Sequence, residues 1–229
     1  MPRRLLPPLA CLLLLPLRAH AAGDGYALDP VHTRVLFAVS HAGFSQALGT
    51  VSGSGGQLWF DPADWAGAKL AVTVPLARLD LGDAGWNRAA SARNLLDVAH
   101  YPVATFVSNR IAPRDAQHAQ VCGDLTLHGV RRDTCLDVTF NQLRRHPLPP
   151  FRRTAGFSAT TTLSRKDFGI DAWPTVIGDR IQLRIEAEAV RDGGVSAGSI
   201  GLRADDATSQ TPAPEARQAP PANPLPTPP

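Results

Sequence analysis

The chain has 229 residues, with 23 Lys+Arg against 20 Asp+Glu. Arg3, Arg4 and Arg18 fall in an N-terminal segment that reads as an export signal; without these three the 23 bases become 20, matching 20 acids. A chain so balanced, whose Arg131-Arg132, Arg144-Arg145 and Arg152-Arg153 pairs are scattered and not interleaved with aromatics, excludes nucleic acid as an expected partner.

The export reading rests on MPRRLLPPLACLLLLPLRAHA: a basic start, an apolar run, then Ala19-His20-Ala21 as the small-x-small cleavage pattern. Prolines interrupt the run, which makes it too short for a comfortable transmembrane helix. Residues 1–21 are therefore expected to leave before Ala22, with no stable membrane span in the mature chain and a periplasmic or secreted location. An uncleaved anchor, or a lipid on Cys11, is the weaker reading.

Short alternating segments follow, separated by turn residues. In order they are TRVLFAVS, GGQLWF, AKLAVTVPLARL, PVATFVSNRI, VCGDLTL, CLDVTFNQL, GFSATTTL and DRIQLRIEAEAV. The last sets Arg180, Gln182, Arg184, Glu186 and Glu188 against Ile181, Leu183, Ile185, Ala187 and Ala189, one wet face and one buried face. WNRAASARNLL, before the fourth segment, is the one helix candidate. About eight antiparallel strands hide their edges by closing into a barrel, around packed side chains or one small ligand; a two-sheet sandwich fits the periodicity equally.

Two cysteines remain after export, Cys122 and Cys135. Val121, Gly123, Leu125 and Leu127 share one strand face and Cys122, Asp124, Thr126 and His128 the other. A two-residue turn at His128-Gly129 pairs Leu127 with Val130 and, stepping outward, Cys122 with Cys135 at a non-hydrogen-bonded position, where Cα atoms lie about 4.5–5.5 Å apart. A disulfide fits there, on the face away from Leu125 and Leu127, and an oxidising compartment favours it. Free thiols are the alternative. Metal or redox chemistry fits less well, since zinc requires several convergent ligands and a redox motif closer spacing.

Beyond Val190, VRDGGVSAGSIG leads to TPAPEARQAPPANPLPTPP, which has no strand or helix pattern. The expected organisation is a domain over residues 22–190 and a proline-rich, unstructured tail over residues 191–229.

YALDPVHTRVLFAVSHAG, HYPVATFVS, GDLTLHGV, SRKDFGID and RIQLRIEAEAV, in this order, resemble the successive motifs of the YceI-like family over roughly residues 26–190. The resemblance implies an all-β, lipocalin-like, eight-stranded antiparallel β-barrel with a short helical excursion, exported to the bacterial periplasm. It implies non-catalytic binding of a long polyisoprenoid, a polyprenyl or isoprenoid-quinone tail, inside the barrel, with no catalytic cofactor. AASARNLLDVAHYP departs from the family: Leu95-Leu96 stand near its usual phenylalanine pair, which removes ring surface from the expected pocket.

Candidate lining residues on this reading are Phe37, Val39, Trp86, Leu95, Leu96, Phe106, Phe140 and Phe157. The competing role for the aromatics is to fill a closed core, as in a secreted structural or interaction module with no lipid. His32, His41, His100 and His128 show no H-x-H or H-E-x-x-H spacing, and Ser40, Ser45 and Ser164 no G-x-S-x-G elbow, so neither a metal centre nor a hydrolase is expected. Monomer and homodimer both remain open.

Overall fold

The computed structural model describes residues 23–201. The export signal expected over residues 1–21 lies outside the described residues, as does the tail from residue 202 onward.

Among the described residues, eleven strand segments form one sheet that closes on itself. They are β1 (Asp24–Leu28), β2 (Arg34–His41), β3 (Ser45–Ser52), β4 (Gly55–Phe60), β5 (Lys69–Pro75), β6 (Leu79–Asp80), β7 (Val103–Pro113), β8 (His118–Leu127), β9 (Val130–Arg145), β10 (Arg153–Ser164) and β11 (Ile177–Arg191). Three staves of the barrel are each interrupted once. β1 and β2 both pair with β11, β3 pairs with β2 where β4 pairs with β1, and β6 continues β5 by pairing with β3. The result is a closed eight-stave antiparallel barrel, and closure leaves no long unpaired edge.

The eight strands read from the sequence fall on these staves, but two segments escaped it. β1 is short. In β3, SQALGTVS, the inward positions Ala47, Gly49 and Val51 are small while Leu48 points outward, 68% exposed, so the apolar alternation is blurred. The small inward residues have a reason: a Cβ on Gly49 would lie 2.3 Å from the Phe37 ring of the neighbouring stave.

The β8–β9 hairpin has the expected turn. His128 and Gly129 both have positive φ, 52° and 73°, as a two-residue type I′ turn requires. Leu127 pairs with Val130 and Cys122 with Cys135; their sulfurs are bonded and their Cα atoms lie 4.0 Å apart. The bridge is on the outer face of the hairpin, yet Cys122 is buried there, with Arg110 of β7 paired alongside it.

The helix α1 (Ala84–Ser91) starts earlier and ends sooner than the sequence suggested. Asp83 caps it, its Oδ1 accepting from Trp86 N at 2.9 Å, which satisfies one of the free N–H groups of the first turn. Leu95 and Leu96 follow in a coiled segment folded against the barrel.

The chain does not leave the barrel at residue 190. Asp192 N donates to Gly25 O at 2.9 Å, Val195 is 5% exposed, and Lys69 Nζ donates to Ala197 O at 3.1 Å. The first residues of the stretch expected to be tail thus pack on the barrel, and a lone valine in a polar, Gly-rich stretch carries no periodicity that betrays its burial.

Candidate functional site

Each stave points alternate side chains into the barrel. Val35, Phe37 and Val39 of β2, Ile181, Leu183 and Ile185 of β11, and Leu125 and Leu127 of β8 all face a cavity of about 500 Å³. The size falls within the ordinary range of small-molecule sites. Its wall is almost wholly apolar; the polar residues that border it are Thr33, Ser40, His41, Ser54, Thr134, Thr161 and Arg165.

The two ends differ. One is closed by aromatic packing: Phe60 lies 5.3 Å from Trp65, 5.2 Å from Phe140 and 5.2 Å from Phe157, ring centre to ring centre. Tyr26, Leu58 and Ala189 pack into the same cluster. At the other end Leu95, Phe168 and Ile170 form a smaller buried cluster over the barrel. Beside it Trp86, Trp173 and Val176 border the cavity while remaining 43%, 50% and 40% exposed, which identifies this end as the mouth. Trp86 packs on His41, ring centres 5.1 Å apart.

Seven of the eight residues expected to line a pocket border this cavity: Phe37, Val39, Trp86, Leu95, Leu96, Phe106 and Phe157. Phe140 does not. It has the inward parity of Leu136 and Val138 but sits opposite Phe157 at the closed end, where its ring belongs to the aromatic plug. Strand parity reports the face of a residue and not its height in the barrel, so nothing in the sequence separated Phe140 from the others.

Sequence reasoning passed over five of the polar wall residues, Thr33, Ser54, Thr134, Thr161 and Arg165. Arg165 is buried, and its guanidinium donates to three backbone carbonyls: Nε to Gly178 O at 3.0 Å, Nη1 to Ile170 O at 2.8 Å and Nη2 to Ile177 O at 2.9 Å. It clamps the loop between β10 and β11 at the mouth, and none of these partners is a carboxylate. Thr33 and Ser54, both at stave interruptions, are 2% and 1% exposed.

The histidines hold turns. His32 Nδ1 pairs with Asp29 at 2.9 Å, His100 Nδ1 with Asp97 at 2.8 Å and His118 Nδ1 with Asp115 at 2.9 Å, each three residues away. The hydrogen bond that the His32 ring donates to Asp29, and then the Asp29 charge, raise the His32 pKa above its ordinary value. Burial pushes the Asp29 carboxyl up, but hydrogen bonds from the His32 ring and from the Val31 and His32 amides together outweigh it and hold the carboxyl below its ordinary value. His128 Nδ1 lies 3.1 Å from Phe168 O, tying the hairpin turn to the mouth. Among the described residues no three His, Cys, Asp or Glu side chains come together as a metal site, and no helix is long and apolar enough to cross a membrane.

A closed eight-stave antiparallel barrel around an apolar cavity, plugged at one end and open at the other, defines a lipocalin-type barrel. Comparison with known proteins places the chain more narrowly: the YceI-like domain model matches residues 26–189, and the chain belongs to that family. A UPF0312 protein of Pseudomonas savastanoi pv. phaseolicola is 36% identical over 177 residues, covering 75% of this chain and 91% of the relative. A UPF0312 protein of Vibrio cholerae is 32% identical over 164 residues, covering 71% and 85%. Among solved structures, BcnA of Burkholderia cenocepacia superposes with a TM-score of 0.63 at 27% identity, covering 70% of this chain and 98% of BcnA. A polyisoprenoid binding domain from Saccharophagus degradans, implicated in plant cell wall breakdown, shares the fold, with a TM-score of 0.52 at 18% identity over 73% of this chain and 98% of that domain.

Proposed function

We propose that this protein binds a long isoprenoid lipid, of the polyprenyl or isoprenoid-quinone type, inside the barrel, and holds or carries it in the bacterial periplasm without catalysing a reaction on it. The observation that carries this reading is the cavity itself: about 500 Å³ of space walled by inward apolar side chains from every side of the barrel. An apolar chain gains about 0.8 kcal/mol for each methylene-sized unit taken out of water. The barrel provides the dry surface while its own backbone groups stay paired in the ladder. A side-chain-filled module needs no such space.

Family membership and the shared fold of the polyisoprenoid binding domain support the ligand class. The Cys122–Cys135 bond fits an oxidising compartment, in keeping with the export signal read from the sequence. The half-exposed Trp86 and Trp173 at the mouth suit a lipid that enters and leaves there.

The test is mass spectrometry of an organic extract of protein exported by a bacterial host and purified without detergent. A prenyl lipid recovered at about one per chain supports the reading. A ligand-free protein that also fails to take up prenyl alcohols and quinones of any length overturns it.

A further inference from the structure

The cavity wall is broken at one level, and the break carries hydroxyls. In β3 the inward residues are odd-numbered, ending at Val51; in β4 they are even-numbered, with Leu58 and Phe60. The phase changes across Gly53, whose φ of 77° is open to glycine at little cost. The change turns Ser54 inward. The adjacent stave changes phase at the same level, from Leu28 in β1 to Val35 in β2, across a turn in which Thr33 N donates to Asp29 O at 2.8 Å. Arg34 pairs with Ser52, and Gly53 N donates to Pro30 O at 3.2 Å, so the two interruptions lie side by side. Thr33 and Ser54 both border the cavity there.

Ser54 Oγ is fully buried and has no hydrogen-bond partner among the described residues. Thr33 Oγ1 spends its proton on Glu188 O at 3.4 Å and keeps its lone pairs. A buried hydroxyl left unmatched is costly, and a matching group in the ligand relieves that cost. Trp65 Nε1 is the other buried side-chain polar atom without a partner among the described residues, but it stands in the aromatic plug.

We propose that this break is a polar subsite for an uncharged oxygen of the bound lipid, an alcohol or carbonyl, which accepts from Ser54 Oγ once that side chain rotates from its sealed position toward the cavity, while an alcohol also donates to Thr33 Oγ1. The inference rests on the lipid-binding reading and adds the chemistry of the ligand's polar end. A charged phosphate does not suit the position: two neutral hydroxyls in an apolar wall do not offset the desolvation of a charge, and the guanidinium of Arg165 is directed at the carbonyls of Gly178, Ile170 and Ile177.

The experiment compares geranylgeraniol with the hydrocarbon of the same skeleton lacking the hydroxyl, in wild type, Ser54→Ala and Thr161→Val. Thr161 also borders the cavity, but its Oγ1 already donates to Cys135 O at 2.9 Å. Ser54→Ala removes one atom and no packing contact of size. The expected result is a fall of about fivefold to tenfold in the alcohol-to-hydrocarbon affinity ratio for Ser54→Ala, the worth of one neutral hydrogen bond, with hydrocarbon binding retained and the ratio unchanged in Thr161→Val. An unchanged ratio in Ser54→Ala, or an equal fall in Thr161→Val, overturns the subsite while leaving lipid binding intact. If wild type binds neither probe, the lipid-binding reading fails, and the subsite with it.

Discussion

The two ends of the barrel are built from the same kinds of residue and do opposite things. At the plug, Phe60, Trp65, Phe140 and Phe157 meet one another within about a ring's width and exclude solvent. At the mouth, Trp86 and Trp173 meet the cavity on one side and water on the other. Rings packed on rings stabilise the fold; rings packed on empty space offer surface to a guest. The difference is one of neighbours, and it divides the consequences of mutation: substitutions at the plug are expected to cost stability, those at the mouth to cost binding.

The largest expected effect is at the plug. Phe60→Ala should destabilise the barrel by about 3–5 kcal/mol in urea unfolding, as truncation of a buried ring usually does. A loss below about 1 kcal/mol would mean that the plug does not anchor the fold. Next comes the wall between the ends. Replacing Cys122 and Cys135 together by alanine should cost about 3 kcal/mol, the entropy of closing a loop of that length, and leave lipid binding nearly as it was. Alkylation of the exported protein without reductant, followed by intact-mass measurement, checks the bond itself; two labelled thiols would refute it.

Truncation after Val190 removes Val195 from its seat near the plug end, and should lower stability by about 2 kcal/mol, the burial of one valine. Truncation after residue 201 is expected to change the melting curve little; a large loss there would show that the remaining tail contributes to the fold. At the mouth, Trp86→Ala or Leu96→Ala should shift stability by less than about 1 kcal/mol yet weaken prenyl-lipid retention by about tenfold, read by lipid titration beside thermal melting. Stability losses equal to that of Phe60→Ala would erase the distinction between the ends.

The smallest effect concerns the turn at the stave break. The Asp29 carboxyl is held low, so its contribution is present above the ordinary carboxylate value and lost as pH falls through the lower folded value. The His32 imidazole is held high, so its contribution is present below the ordinary histidine value and lost as pH rises through the higher folded value. The pair therefore helps most between about pH 4 and 6.5. Asp29→Asn should flatten that part of the stability profile by no more than the 0.2–1 kcal/mol typical, roughly, of exposed pairs. A profile unchanged by the substitution would leave the pair without energetic weight.

The hairpin could be read from sequence because its cause is local: His128-Gly129 sets the turn, the turn sets the register, and the register brings Cys122 to Cys135. The last strand could be read because RIQLRIEAEAV alternates without a break. β3 escaped because its inward residues are shaped by Phe37 on another stave. Phe140 and Val195 were misplaced because height in the barrel and the return of the chain past Arg191 are properties of the closed assembly. Ser54 was invisible for a related reason: its inward direction depends on a change of phase at Gly53 that only the pairing of two staves reveals.

The central claim is that the cavity is a site for an apolar chain, and a length series tests it most directly. Wild-type protein titrated with geraniol, farnesol and geranylgeraniol should bind each longer alcohol at least about tenfold more tightly, since every added isoprene unit buries several methylene-sized groups. Affinities that stay flat along the series, or binding of none of the three, would contradict it.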